Sequence, residues 1–445
     1  MRVLLVSHFF PPDGFAGVER YSKTLADELA RAGDTVNVLA RRPDAQLHEP
    51  YLERERLSQG ITVYRLIGGQ EGWTNCLVHD LRLEEMFKAV LVETDTEVAH
   101  FNHLGFSPHS VELAQRLGVA VVHGVHDFFY CCPLGCLRKQ SGERCSGPQG
   151  GQECARTCFA HEGQEAGLRW GVRTMYFRRL LAAGDYVICP SRFVADHIEA
   201  FGVEAARIRV IPPAVRIVGS GSSAGVPSTA DKPSTLTFAF AGAIVPDTGL
   251  HLLLDALRGA RVADVRLLVR GPLPNVDYAT QVREQARRLT GVCTLWHGGA
   301  HAASIADWLG DTDCLICPAF VPEVDGRVAR EALAAGVPVI VSRVGALPEL
   351  VNEGVNGFVF SPDKPGVLTD LIQRLATESG LLGRLRAGAS NARVITAADH
   401  AAAVRAVYRQ AIADRQRERP RRGGDRSEID FLHAAMIELG FARSA

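Results

Sequence analysis

The sequence lacks any apolar run approaching the roughly 20 residues needed to cross a bilayer, so no transmembrane segment is expected. It also lacks an excess of either charge. Forty-nine Lys and Arg against 50 Asp and Glu leave a net −1, and no global field favours a nucleic-acid partner or an anionic membrane. The opening MRVLLVSHFFPP lacks a small-residue cleavage site, and Ser7, His8 and Pro11-Pro12 break its apolar core. It reads as a buried first strand rather than a signal peptide, with the cytoplasm as the expected location. A full Gly-x-Gly-x-x-Gly is missing as well. Asp13-Gly14 and Gly17, followed by Arg41-Arg42, therefore do not make an NADP-binding unit. Cysteine, by contrast, is plentiful: six of eleven crowd between Cys131 and Cys158, which suits a local metal or redox cluster better than a disulfide framework.

What is present suits two α/β domains: 445 residues, 47% hydrophobic and 22% charged. Val3–Val6 is a continuous apolar run, as in a parallel strand buried on both faces. Tyr21, Leu25, Leu29 and Ala32 then recur at helical spacing, Gly33 stops the helix, and Val36–Ala40 supplies a second strand. Similar strands recur at 99–101, 120–123 and 186–189. Residues 217–235 lose periodicity and fill with Gly, Ser and Pro, which marks a linker. A second series follows at 236–240, 266–269, 314–317 and 339–341.

The expected organisation is a first domain over 1–216 and a second over 236–398. A long helix over 399–415 returns to the first, and a polar tail over 416–445 ends in a short amphipathic helix near Ile429–Phe441. The fold class is two doubly wound, Rossmann-like sheets; facing each other, they would form a cleft at their strand carboxyl ends.

The most specific stretch is PAFVPEVDGRVAREALAAGVPVIVSRVGALPELV, Pro318 to Val351. Glu331 sits near the start of a helix that Gly336 stops, and its two oxygens can accept hydrogen bonds from a cis-diol such as a ribose. The backbone N–H groups around Asp325, Gly326 and Arg327 point off that helix start and suit phosphate or sugar oxygens. Glu323, one loop earlier, can meet a sugar hydroxyl or developing positive charge.

With this context the chain resembles the family-4 retaining glycosyltransferases over nearly its whole length, to about residue 415. HFFPPDGFAGVERYSKTLADELARAGDTVNVLA, AHFNHLGF, VHGVHDF, PSRFVADHIEAFGVEAARIRVIPPAV, FAGAIVPDTGLHLLLDAL and DWLGDTDCLICP match in order. The resemblance implies a GT-B fold and transfer of a sugar from a nucleotide-diphosphate-sugar donor to a small-molecule or lipid-linked acceptor, with retention and no catalytic metal. Gly17 and Gly242 would approach the donor phosphates. His126 would contact the transferred sugar, and Asp127 would orient that imidazole. Glu323 would hold the donor sugar and Glu331 the ribose. Asp311-Thr312-Asp313 has the form of a manganese motif from a different fold, but it precedes a buried strand and reads as strand capping.

Two features depart from, or add to, that pattern. Members usually carry Arg after Gly242 and Lys before Gly249, cations that offset charge on the departing diphosphate; here these are Ala243 and Thr248. Arg192, Arg327, Arg330 and Arg343 are the candidate substitutes. A sugar-nucleotide-binding protein with lost or altered catalysis is the alternative reading. The Gly-rich loop after His126 needs a staple, and four thiolates can hold zinc tetrahedrally. Cys132, Cys145, Cys154 and Cys158 resemble the insert of some members, with Cys131 and Cys136 to spare. Free thiols, disulfides and an iron–sulfur cluster stay open beside a structural zinc.

Overall fold

Apolar runs become strands buried on both faces, and the polar stretches between them become loops at the sheet ends. A computed structural model describes residues 1–42, 50–57, 60–68, 81–103, 109–215, 235–297, 308–418 and parts of 431–439. Apart from Thr235, the expected linker lies outside the described residues, as does most of the tail. The chain divides into two units, Met1–Pro213 with Ala397–Ala445, and Ala214–Thr396.

The first unit runs β1 (Arg2–Val6), α1 (Gly17–Arg31), β2 (Thr35–Arg42), β3 (Tyr51–Arg56), β4 (Thr62–Ile67), α2 (Leu81–Glu93), β5 (Val98–Phe101), α3 (His109–Arg116), β6 (Ala120–Gly124), α4 (Ala166–Ala183), β7 (Tyr186–Cys189), α5 (Arg192–Ala200) and β8 (Ile208–Val210). Its sheet has the order β3-β4-β2-β1-β5-β6-β7-β8. All pairs are parallel except β3 with β4. Strand order reverses at β1, between β2 and β5. That switch point is where the loops after β1 and β5 part to opposite faces and leave room for a ligand.

The second unit runs β9 (Leu236–Ala241), α6 (Leu250–Ala260), β10 (Val265–Arg270), α7 (Val276–Arg287), β11 (Val292–His297), β12 (Cys314–Cys317), α8 (Arg327–Ala334), β13 (Val339–Ser342), β14 (Gly357–Phe360), α9 (Gly366–Thr377) and α10 (Leu381–Ser390). Its all-parallel sheet, β11-β10-β9-β12-β13-β14, switches at β9. Apolar clusters cover both faces, one under α6, α7 and α9 and the other under α8.

Helix α11 (Ala397–Glu418) belongs to the first unit. It buries Val404, Val407, Tyr408 and Ala411 in that unit's core. Arg405 pairs with Asp34 at 2.6 Å, and Tyr186 donates to Asp414 at 2.8 Å. Among the described residues no helix is long and apolar enough to cross a membrane.

Candidate functional site

In the first unit the loop after β1 is clamped by charge. Asp13 takes Arg42 at 2.8 Å and also the fully buried Arg65, whose guanidinium donates to the Pro11 carbonyl at 3.1 Å. Arg42 therefore serves the loop. Gly17 opens α1, and a side-chain carbon there would meet nothing within 4 Å, so the helix start borders open space.

The carboxyl ends of β5 and β6 supply Asn102, His103, His126 and Asp127, which line a small pocket with Phe129 and Tyr130 around Gly124. Gly124 admits no side chain, because a Cβ would lie 2.8–3.0 Å from His100, Asn102 and His126 side-chain atoms. Asn102 gives its amide N–H to Ser22 Oγ at 3.0 Å, which turns Oδ1 toward His126 Nε2, 3.3 Å away. That bond needs the proton on Nε2. Burial, ahead of neighbouring charges, lowers the His126 pKa to about 4, so its ring is neutral at physiological pH.

Asp127 stands elsewhere than expected. Its Oδ1 accepts the Phe129 N–H at 2.8 Å, and Oδ2 lies 3.8 Å from His103 Nε2. Burial works to raise its pKa, but His103 and the Phe129 N–H outweigh it and hold the carboxyl below its usual range. The partners that orient His126 are Asn102 and Tyr21, whose ring centroid is 4.4 Å away. Neither stood out in the sequence, because Asn102 follows β5 and Tyr21 lies on α1, both far along the chain from the Val-His-Asp motif.

In the second unit three loops meet at the strand carboxyl ends. Phe320 N–H donates to Asp247 O at 2.8 Å, Ser342 Oγ to Ala319 O at 2.6 Å, and Ala346 N–H to Glu323 O at 2.8 Å. Gly345, at φ +61°, makes the last contact achievable: a Cβ would sit 2.3 Å from Glu323 backbone atoms. Gly326, at φ +58°, caps α8 in the left-handed region and turns the chain into the helix.

Glu331 is 8% exposed on α8, and its Oε1 accepts Arg327 Nε at 2.9 Å. Glu323 forms no carboxylate hydrogen bond among the described residues. Burial, then Asp325, raises its pKa to about 7. Asp325 is raised too, by burial, although Arg330 and Arg327 oppose the shift. Arg330 Nε donates to the Asp325 carbonyl at 2.7 Å and so turns toward this loop. The site thus combines two half-buried carboxyls raised above their ordinary pKa, a paired carboxylate on a helix, and a helix start whose Arg327 N–H donates to Asp325 Oδ1 at 3.2 Å.

The loop after Gly242 offers no cationic side chain. Thr248 Oγ1 is spent inside it, donating to Ala243 O at 2.7 Å and Val245 O at 2.8 Å. Of the candidate substitutes, Arg192 pairs with Asp196 on α5 at 3.0 Å, and Arg343 is exposed just past β13. Asp313, at the amino end of β12, accepts the Thr237 N–H at 2.7 Å and pairs with Arg386, a capping role far from this loop cluster.

The zinc expectation is corrected. Cys132, Cys145, Cys154 and Cys158 line one cavity, but among the described residues no three His, Cys, Asp or Glu are placed to hold a metal ion. Burial pushes the Cys154 thiol up to about 12. Cys136, expected as a spare or alternative ligand, shares a hydrogen bond with Cys132 that lowers the Cys132 thiol to about 6. The staple is of another kind: Phe159 stacks on Trp170 at 3.7 Å, and Lys139 pairs with Glu153 at 2.9 Å.

The sequence model of Glycosyltransferase Family 4 matches residues 15–217, and that of Glycosyl transferases group 1 matches 227–392. A D-inositol 3-phosphate glycosyltransferase of Xylanimonas cellulosilytica is 32% identical over 251 residues, 52% of this chain and 58% of the relative. One from Streptomyces bingchenggensis is 29% identical over 257 residues, 54% and 56%. The chain thus spans little more than half the length of the curated relatives it matches. Among solved structures, sucrose-phosphate synthase from Thermosynechococcus elongatus superposes with TM-score 0.67 at 19% identity, covering 93% of this chain and 99% of that one. Anabaena HepE in complex with UDP gives 0.63 at 17%, covering 92% and 100%. These structures share the GT-B fold class of two α/β units, and with both family models matched in order along most of its length, the chain belongs to the family-4 glycosyltransferases.

Proposed function

We propose that the protein transfers a hexose from a nucleotide-diphosphate sugar to a hydroxyl of a small-molecule or lipid-linked acceptor, with retention at the anomeric carbon. One observation carries this reading: Glu331 and Glu323 flank the start of α8 at Gly326–Arg327, where β12 gives way to the helix and the Arg327 N–H is capped by Asp325 Oδ1 at 3.2 Å. Glu331 accepts the ribose hydroxyls, the helix start takes phosphate oxygens, and Glu323 meets the donor sugar. The neutral His126, its Nε2–H given to Asn102, accepts a hydrogen bond from a hydroxyl of the transferred sugar at its bare Nδ1. The HepE complex with UDP and the inositol-phosphate name of the relatives support a nucleotide donor and a hydroxylated acceptor.

The bond from the anomeric carbon to the diphosphate breaks with its electron pair on the phosphate. The acceptor oxygen bonds to that carbon on the same face, and its proton passes to the departing phosphate. No protein nucleophile is needed. Arg327, 43% exposed at the first position of α8, is our choice for the charge that Ala243 and Thr248 do not supply. Releasing Glu331 to the ribose frees its guanidinium for the leaving phosphate. Arg327→Ala should then lower kcat more than it weakens donor binding. Full turnover in that variant would place the stabilising charge elsewhere. Tight nucleotide binding without product release from any donor would favour the binding-protein alternative.

A further inference from the structure

His126 is backed by groups from distant stretches of the chain. Its ring packs on Tyr21 of α1, tilted by 58°. The Tyr21 hydroxyl lies 3.1 Å from His400 Nε2 on α11, and His400 Nδ1 lies 2.9 Å from the Pro212 carbonyl oxygen. A carbonyl only accepts, so the proton sits on Nδ1. Burial lowers the His400 pKa and keeps the ring neutral, so Nε2 is bare and accepts the Tyr21 O–H. Burial also raises the Tyr21 pKa, which keeps that hydroxyl a donor. On the other side of His126 the sense is equally fixed. His126 donates to Asn102, Asn102 to Ser22, and Ser22 to Ser7 Oγ at 3.2 Å.

We infer that Tyr21 and His400 are positioning residues for His126. Helix α11 fixes Tyr21 through the hydroxyl–imidazole bond, and the Tyr21 ring sets the tilt at which the His126 imidazole, its Nε2–H given to Asn102, presents the bare Nδ1. Tyr408 reinforces the same helix about two turns further on, its hydroxyl 2.6 Å from His100 Nδ1. The inference rests on the reading of His126 as the contact for the transferred sugar.

The test is steady-state release of nucleoside diphosphate by the full chain and its Tyr21→Phe, His400→Leu, His400→Gln and His126→Ala variants. Melting temperatures and the His126 imidazole NMR resonance are followed alongside. Losing one such hydrogen bond should lower kcat about three- to tenfold in Tyr21→Phe and His400→Leu. Donor KM should stay within about twofold, and the His126 resonance should move. His400→Gln, whose amide both donates and accepts, should recover most of the loss. Lower melting temperature with parental kcat and an unmoved resonance would overturn the inference. So would an inactive His126→Ala beside fully active Tyr21→Phe and His400→Leu. Parental turnover in His126→Ala would overturn the reading of His126 itself, and the inference with it.

Discussion

At the residue scale, Glu323 carries the most distinctive electrostatics. Burial next to Asp325 holds its pKa near 7 where an exposed Glu would ionise in mild acid. The native pKa lies above the unfolded one, so its contribution to stability is full below the unfolded value and is lost as pH rises through about 7. Glu323→Gln removes that cost. Its melting temperature should exceed the parent's at about pH 8, and the difference should vanish by about pH 5. Donor turnover should behave oppositely. Because the ionised carboxylate is the better acceptor for sugar hydroxyls, kcat/KM of the parent should fall below about pH 7, and the Gln variant should lack that limb. A parallel pH profile in the variant would remove Glu323 from the donor-sugar role. For Glu331→Ala, donor affinity should weaken by about 1.5–3 kcal/mol, measured by calorimetry with a nucleotide sugar. Unchanged affinity in the folded variant would sink the ribose assignment.

The two glutamates were legible in the sequence because their spacing across a strand end and a helix start has a physical meaning. Asn102 and Tyr21 were not. Each acts on His126 from another element, and nothing in a linear sequence says that the ends of β5 and β6 are neighbours. The cysteine cluster misled for a related reason. Thiol spacing permits a tetrahedral site, but the aromatic stack of Phe159 on Trp170 and the Lys139–Glu153 pair already staple the loop.

At the element scale, the strands with mainly apolar runs were readable: β1, β2, β5, β6, β7, β9, β10, β12 and β13. Strands β3 and β11 were not, since each is an edge strand whose polar residues face water and interrupt the run. In β4 the buried Arg65 breaks the pattern, a residue held inside only because Asp13 and Glu55 pair with it. The loop after β12 depends on its neighbour after β13. Gly345→Ala would place a carbon 2.3 Å from Glu323 backbone atoms at a left-handed φ. It should cut donor affinity by displacing Glu323, with little loss of overall stability, a difference that paired calorimetry and thermal melts would register. Helix α11 makes the opposite trade. Tyr408→Phe leaves buried His100 Nδ1 without its 2.6 Å partner and should destabilise the first unit by about 1–3 kcal/mol in denaturant melts.

At the scale of the whole molecule, two doubly wound sheets each reverse strand order once, at β1 and at β9, and each carries its candidate residues on the loops beside that reversal. The fold therefore places Gly17, Asn102 and His126 in one unit, and Glu323, Gly326 and Glu331 in the other. The family explains that division. The sequence alone predicted two sheets from periodicity and a joining linker from composition; apart from Thr235 that linker lies outside the described residues. The missing Arg and Lys after β9 bear on the whole reaction, since charge on a departing diphosphate must be met somewhere. The most direct measurement is release of nucleoside diphosphate by the purified chain across a panel of nucleotide sugars, with the anomeric configuration of the product read by proton NMR. A transferase of this kind should release nucleotide from at least one donor, give a product of the donor's own anomeric configuration, and lose both signals in His126→Ala. Nucleotide binding with no release, or a product of inverted configuration, would contradict it.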